Sequence, residues 1–145
     1  MRTFFDTNLL VYLFDAGAPK KQRIARDLLQ EHTASGEILL STQVLQEFYV
    51  AVTRKLAVPL GEDEAHEAVR EFAALPLVQV DAETILAAIQ VARARRLSFW
   101  DALIVQSALR GGATTLLSED MQAGAAFDGL RVVNPLADPP LNARA

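Results

Sequence analysis

Short apolar runs alternate with longer stretches of helical periodicity along almost the whole chain. Thr3-Phe4-Phe5, Ile38-Leu39-Leu40, Leu77-Val78-Gln79-Val80, Thr114-Thr115-Leu116-Leu117 and Leu130-Arg131-Val132-Val133 each suit one short strand. Between them apolar residues recur at helical spacing: Leu9, Leu10, Leu13, Phe14; Ile24, Leu28, Leu29; Val44, Leu45, Phe48, Val52, Leu56; Val69, Phe72, Ala73. Further helices are expected from about Ala82 to Arg95 and from Ser98-Phe99-Trp100-Asp101 to Gly111-Gly112. Strands alternating with helices imply an α/β domain, a central parallel sheet of four to five strands with helices on both faces. The 145 residues fit one domain with a real core. We assign residues 1–135 to it and expect a loose tail over 136–145, where Pro139-Pro140 breaks the pattern.

Composition narrows the chemistry. There is no cysteine, which excludes disulfides and thiolate metal sites. No apolar run is long enough to span a bilayer and no signal-peptide layout opens the chain, so a cytoplasmic protein is expected. A net charge of −4 speaks against broad coating of nucleic acid, though not against a local basic rim.

Four acids fall at comparable places. Asp6 ends the first strand, Glu47 lies early in the helix after the second, Asp101 stands in the first turn of a late helix, and Asp120 follows the fourth strand. In a parallel sheet the strand-linked acids point to one edge, where open α/β folds bind ligands. Each acid also has a plain explanation. Asp6 and Asp120 suit helix caps, Ser98-x-x-Asp101 matches a capping box, and Glu47 suits a solvated face. Taken together they suggest a cation, because clustered buried carboxylates are costly without one. Oxygen donors with Thr7, Asn8 and Ser118 beside them suit Mg²⁺ or Mn²⁺. Such a site handles phosphates. His32 and His66 lack zinc-ligand spacing and are read as surface residues.

These motifs resemble the PIN-domain family. Phe4-Phe5-Asp6-Thr7-Asn8-Leu9-Leu10 looks like its opening, and Ser41-Thr42-Gln43-Val44-Leu45-Gln46-Glu47-Phe48 like its second acidic motif. Leu97-Ser98-Phe99-Trp100-Asp101-Ala102-Leu103-Ile104 and Leu116-Leu117-Ser118-Glu119-Asp120-Met121 look like the third and fourth. The order and spacing cover Arg2 to about Pro135 and are most similar to VapC-type toxins of type II toxin–antitoxin systems. The resemblance implies a Mg²⁺- or Mn²⁺-dependent endoribonuclease. Asp6, Glu47, Asp101 and Asp120 would be its catalytic, metal-holding quartet, with Thr7, Asn8 and Ser118 in support. It also implies an RNA substrate, a homodimer, and a cognate antitoxin that occupies the active-site groove.

Residues for RNA contact are expected in two basic clusters and one aromatic: Lys20, Lys21, Arg23 and Arg26 beyond the first helix, Arg93, Arg95 and Arg96 before the third motif, and Trp100 beside Asp101, whose place at a helix start also suits partly buried core. Glu119 is expected to be exposed. Phe14, Phe48, Tyr49 and Val52 are read as core. Two alternatives stand beside the nuclease: a non-catalytic partner-binding module on the same scaffold, and a different Mg²⁺-dependent phosphatase using Asp6. The phosphatase opening wants an acid where Asn8 stands. Which RNA is cut is not legible in the sequence.

Overall fold

The first strand, β1 (Arg2–Phe5), becomes the centre of the sheet because Phe4 and Phe5 are apolar on both faces and fully buried. The computed structural model describes residues 1–137. β1 is followed by a one-turn helix α1 (Thr7–Val11), a 3₁₀ turn at Tyr12–Phe14, and the long helix α2 (Pro19–Ser35). Then come β2 (Ile38–Ser41), α3 (Thr42–Arg54), α4 (Glu62–Ala73), β3 (Leu77–Val78), α5 (Ala82–Arg95), α6 (Phe99–Arg110), β4 (Ala113–Leu117), β5 (Ala126–Phe127) and β6 (Leu130–Val133).

The strand order is β3-β2-β1-β4-β6-β5. All neighbouring pairs are parallel except β5 with β6. The chain leaves β1 for β2 and β3 on one side, then crosses back to β4 on the other. That reversal makes the crevice beyond the carboxyl ends of β1 and β4 the switch point of the sheet. Register fixes what meets there: Phe5 pairs with Leu117, so Asp6 and Ser118 emerge side by side.

Helix α6 packs against β2, β3, β4 and β6, with α5 laid on it; α2 and α3 pack against β2, with α1 and α4 on α3. Val44, Phe48 and Val52 recur every four residues on α3 and are fully buried. Phe48 links Phe14 and Phe72 by edge-on ring contacts at 5.7 and 5.1 Å. The core role expected for Phe14, Phe48, Tyr49 and Val52 is what the fold uses them for.

The structure departs from the sequence reading in a few places. A sixth strand, β5, pairs antiparallel with β6 through Asp128-Gly129, whose φ values of 48° and 89° are those of a two-residue type I′ hairpin. β3 is shorter than Leu77–Val80, because the Val80 N–H leaves the ladder and donates to the Thr42 hydroxyl at 3.1 Å. α2 begins at Pro19, the first-turn position where proline's missing N–H costs nothing, and runs to Ser35. His32 is not a surface residue: its ring lies edge-on to Phe5 at 5.4 Å, and its Nδ1 lies 2.9 Å from the Leu28 carbonyl. Leu136 is buried against the core, and the expected tail from Asp138 onward lies outside the described residues.

Candidate active site

Asp6 is a carboxylate held almost out of water, 8% exposed, at the end of the central strand. Its two oxygens have separate donors. The Thr7 N–H donates to Oδ1 at 2.8 Å, and the Ser118 hydroxyl donates to Oδ2 at 2.8 Å. Burial pushes the Asp6 carboxyl up to about 6. The two hydrogen bonds oppose that shift, and the charges of Glu47 and Asp120 add to it. As the N-cap of α1, Asp6 is also the helix cap that its plainer reading expected.

Glu47 reaches the same place from α3. Thr7 Oγ1 donates to its Oε1 at 2.6 Å, and Gln43 Nε2 donates to its Oε2 at 3.1 Å. Gln43 and Glu47 are four residues apart on one helix face, so they meet side by side. The same Gln43 Nε2 donates to the Trp100 carbonyl at 3.2 Å and ties α3 to the start of α6. There Asp101 stands in the first turn, its N–H donating to Ser98 Oγ at 3.0 Å. Among the described hydrogen bonds the carboxylate does not close the reciprocal half of a capping box, which leaves it available.

Asp120 arrives on the loop after β4. Asn8 Nδ2 donates to its Oδ2 at 2.7 Å. Its carboxyl is raised by burial and by the charges of Glu119 and Asp101. Glu119 is not the exposed residue expected from its charge. It is more covered than Asp120, because Tyr12 OH donates to it at 2.7 Å and Lys21 Nζ at 2.5 Å. Burial would raise the Glu119 carboxyl, but these two donors hold it below the usual range.

Asp6, Glu47, Asp101 and Asp120 all line one cleft of about 550 Å³, together with Thr7, Asn8 and Gln43. A family model described as PIN domain matches residues 3–126. The chain belongs to the PIN domain family. Solved structures share the fold. They include the toxin VapC20 of Mycobacterium tuberculosis, described as cleaving the sarcin–ricin loop (TM-score 0.65, 22% identity, 89% of this chain and 98% of that one). DNA-bound VapBC of Salmonella typhimurium is another (0.63, 16%, 91% and 96%). VapBC2 of Rickettsia felis, bound to a promoter DNA fragment, is a third (0.61, 16%, 91% and 97%). At these identities the likeness speaks for the fold. No curated protein matches the chain significantly.

The basic clusters expected to contact RNA lie on α2 and at the end of α5. Lys20, Lys21, Arg23, Arg93 and Arg96 do not line the acidic cleft. Lys21 is committed to Glu119, and Arg96 caps α5 in the left-handed conformation, φ 55°. Among the described residues, the cation on the cleft wall is Lys55, which the sequence reading passed over because it stands alone after α3. Gln43 was missed as well; its four-residue spacing from Glu47 was the signal. Trp100 is not core: it is 61% exposed and lines the cleft.

The donor set of this PIN domain suits a hard divalent cation in its chemistry. All the ligating atoms are oxygen, and a buried Asp6 with two acids acting on it is a negative charge that a cation would relieve. The cage is not finished, however. Among the described residues no three His, Cys, Asp or Glu side chains are grouped so as to hold an ion as they stand. The acids line the cleft with each carboxylate of Asp6, Glu47 and Asp120 steered by a neutral donor.

Proposed function

We propose that this PIN domain is a divalent-metal-dependent endoribonuclease acting as the toxin of a VapBC-like pair. The observation that carries the reading is the convergence of Asp6, Glu47, Asp101 and Asp120, from four separate parts of the fold, on one cleft at the sheet's switch point. Asp6 and Asp101 would hold Mg²⁺ or Mn²⁺, with Glu47 and Asp120 completing the site directly or through water. A bound ion supplies positive charge that polarises the scissile phosphodiester.

The chain's own residues do the rest. Ser118 and the Thr7 N–H fix the plane of Asp6; Thr7 Oγ1 and Gln43 fix Glu47; Asn8 fixes Asp120. Trp100, exposed on the cleft wall, offers a ring face for an unpaired base. Single-stranded or looped RNA suits such a cleft better than duplex, since only unstacked bases reach an aromatic wall. An antitoxin side chain bearing Arg or Lys would satisfy the same carboxylates in place of the ion. We also propose a homodimer and a cytoplasmic location; among the described residues no helix is long and apolar enough to cross a membrane.

The unfinished cage favours one alternative, a partner-binding module whose acids take only a basic side chain. Cleavage of a mixed RNA pool with Mg²⁺, with Mn²⁺ and with chelator separates the two. Metal-dependent cutting supports the nuclease; intact RNA under all three conditions supports the module.

A further inference from the structure

A second, smaller pocket of about 210 Å³ opens off the acidic cleft, and Asp101 and Asp120 line both. Arg95, at the end of α5, lines the smaller pocket and not the main cleft. Its guanidinium lies over the Phe127 ring, 4.3 Å from the centroid, and Nη2 donates to the Ala126 carbonyl at 3.2 Å. These contacts fix the head group and use one of its five N–H donors. Among the described residues Arg95 forms no ion pair, although two carboxylates line its pocket. A guanidinium that is positioned, desolvated on one face and still charged is a ready ligand for a phosphate. Its platform exists only because the Asp128-Gly129 turn brings Phe127 back beside β6. The motifs of the acidic site do not require that hairpin.

We propose that this side pocket is a phosphate subsite, with Arg95 binding the RNA backbone phosphate next to the one at the acids. The proposal rests on the ribonuclease reading and adds a direction to it: the strand runs from the Lys55 side of the main cleft, past the acids, to Arg95. Three observations fit this path. The two cavities share the wall formed by Asp101 and Asp120. The side pocket is less than half the size of the main cleft, which suits a phosphate and its waters rather than a stacked base. Lys55 lines the main cleft and Arg95 the side pocket, so each cavity offers a polyanion one cation. Arg95 is a positioning residue here; it binds substrate away from the reacting atoms.

The test is steady-state cleavage of a single-stranded RNA with Mn²⁺, over salt from about 50 to 250 mM, by wild type, Arg95→Gln, Arg95→Lys and Arg93→Gln. Arg95→Gln should raise KM about 10-fold, leave kcat within about 3-fold, and reduce the slope of log(1/KM) against log salt by about 0.7, one single-strand phosphate contact. Arg95→Lys, which keeps the charge but loses the fork, should keep the slope and raise KM several-fold with kcat unchanged; if the glutamine variant fails to fold, a wild-type KM in Arg95→Lys overturns the subsite. Arg93, two residues earlier on the same helix and lining neither cavity, should behave as wild type. An Arg95→Gln enzyme that cuts with an unchanged salt slope overturns the subsite and leaves the nuclease standing, since a merely structural arginine changes stability and not the slope. A wild type that cuts no RNA overturns both.

Discussion

Ser118 and Asp6 lie 112 residues apart in sequence, yet the Ser118 hydroxyl donates to Asp6 Oδ2 at 2.8 Å. The contact follows from register, since Phe5 pairs with Leu117 and the next residue of each strand turns out of the sheet together. It holds a carboxylate in a place where burial resists its charge. Without a cation, the folded protein therefore carries an ionised Asp6 at a cost.

That cost has a sign and a pH window. The folded Asp6 titrates at about 6, above its ordinary 3.8, so folding favours the neutral acid. The stability given by the neutral form is complete below pH 3.8 and is lost as pH rises through 6. A shift of that size corresponds to about 3 kcal/mol. In chelator at pH 8, Asp6→Asn should be more stable than wild type by about 1–3 kcal/mol, and the difference should nearly vanish near pH 4. Urea denaturation at both pH values checks it; an Asn variant less stable than wild type at pH 8 would mean that its hydrogen bonds outweigh the buried charge.

A cation should reverse the balance. Mg²⁺ or Mn²⁺ at about 100 times its dissociation constant should stabilise the wild type by about 2.7 kcal/mol at pH 8. Asp6→Asn should gain much less, and the wild-type gain should fade below pH 6 as Asp6 takes up its proton. Thermal melts with metal and with chelator at pH 5 and pH 8 give all of these readings.

Much of the fold was legible because its determinants are local. Apolar runs such as Ile38-Leu39-Leu40 mark a strand buried on both faces, and the four-residue spacing of Val44, Phe48 and Val52 marks the inner face of α3. What escaped was set by long-range partners. Glu119 is drawn in by Tyr12 and Lys21, nearly a hundred or more residues earlier, which no local pattern announces. Arg95 was legible only as one of a basic cluster with Arg93 and Arg96; what sets it apart, its seat on Phe127 and the Ala126 carbonyl, lies across a hairpin too short to show a strand pattern. Trp100 stands at a helix start, a place that suits partly buried core, but it is the neighbouring Phe99 that packs inward against the α5–α6 contact.

The Lys21–Glu119 pair should act on the site rather than on stability. Lys21 is 38% exposed, so Lys21→Met should cost about 1 kcal/mol or less. It releases the loop that carries Asp120, however, and kcat should fall several-fold with little change in KM. A variant with unchanged kcat would show that Asn8 alone suffices to place Asp120.

Gly111 is predicted to be intolerant for a reason unrelated to chemistry. A Cβ there would lie 2.2 Å from Leu39 Cδ2 and 2.8 Å from Val78 Cγ2, where α6 ends against β2 and β3. Gly111→Ala should lower stability by about 1–3 kcal/mol in urea denaturation, as overpacked sites do. No loss would mean that Leu39 changes rotamer freely.

Trp100→Ala offers the opposite pattern. The side chain is exposed, so stability should change by less than about 0.5 kcal/mol. RNA affinity should drop by about 1–3 kcal/mol if a base stacks on the indole. Fluorescence anisotropy with a labelled single-stranded RNA reads it; equal affinities would remove Trp100 from the binding surface.

The central claim is that the four acids form a metal-dependent ribonuclease centre, and cleavage by wild type and Asp6→Asn at pH 8 with Mn²⁺ tests it most directly. Asp6→Asn keeps the side-chain shape and removes one negative charge. The account predicts wild-type cutting that chelator abolishes, and at least a 100-fold loss of rate in Asp6→Asn despite its greater stability. Equal rates in the two proteins, or cutting that survives chelator, would contradict it.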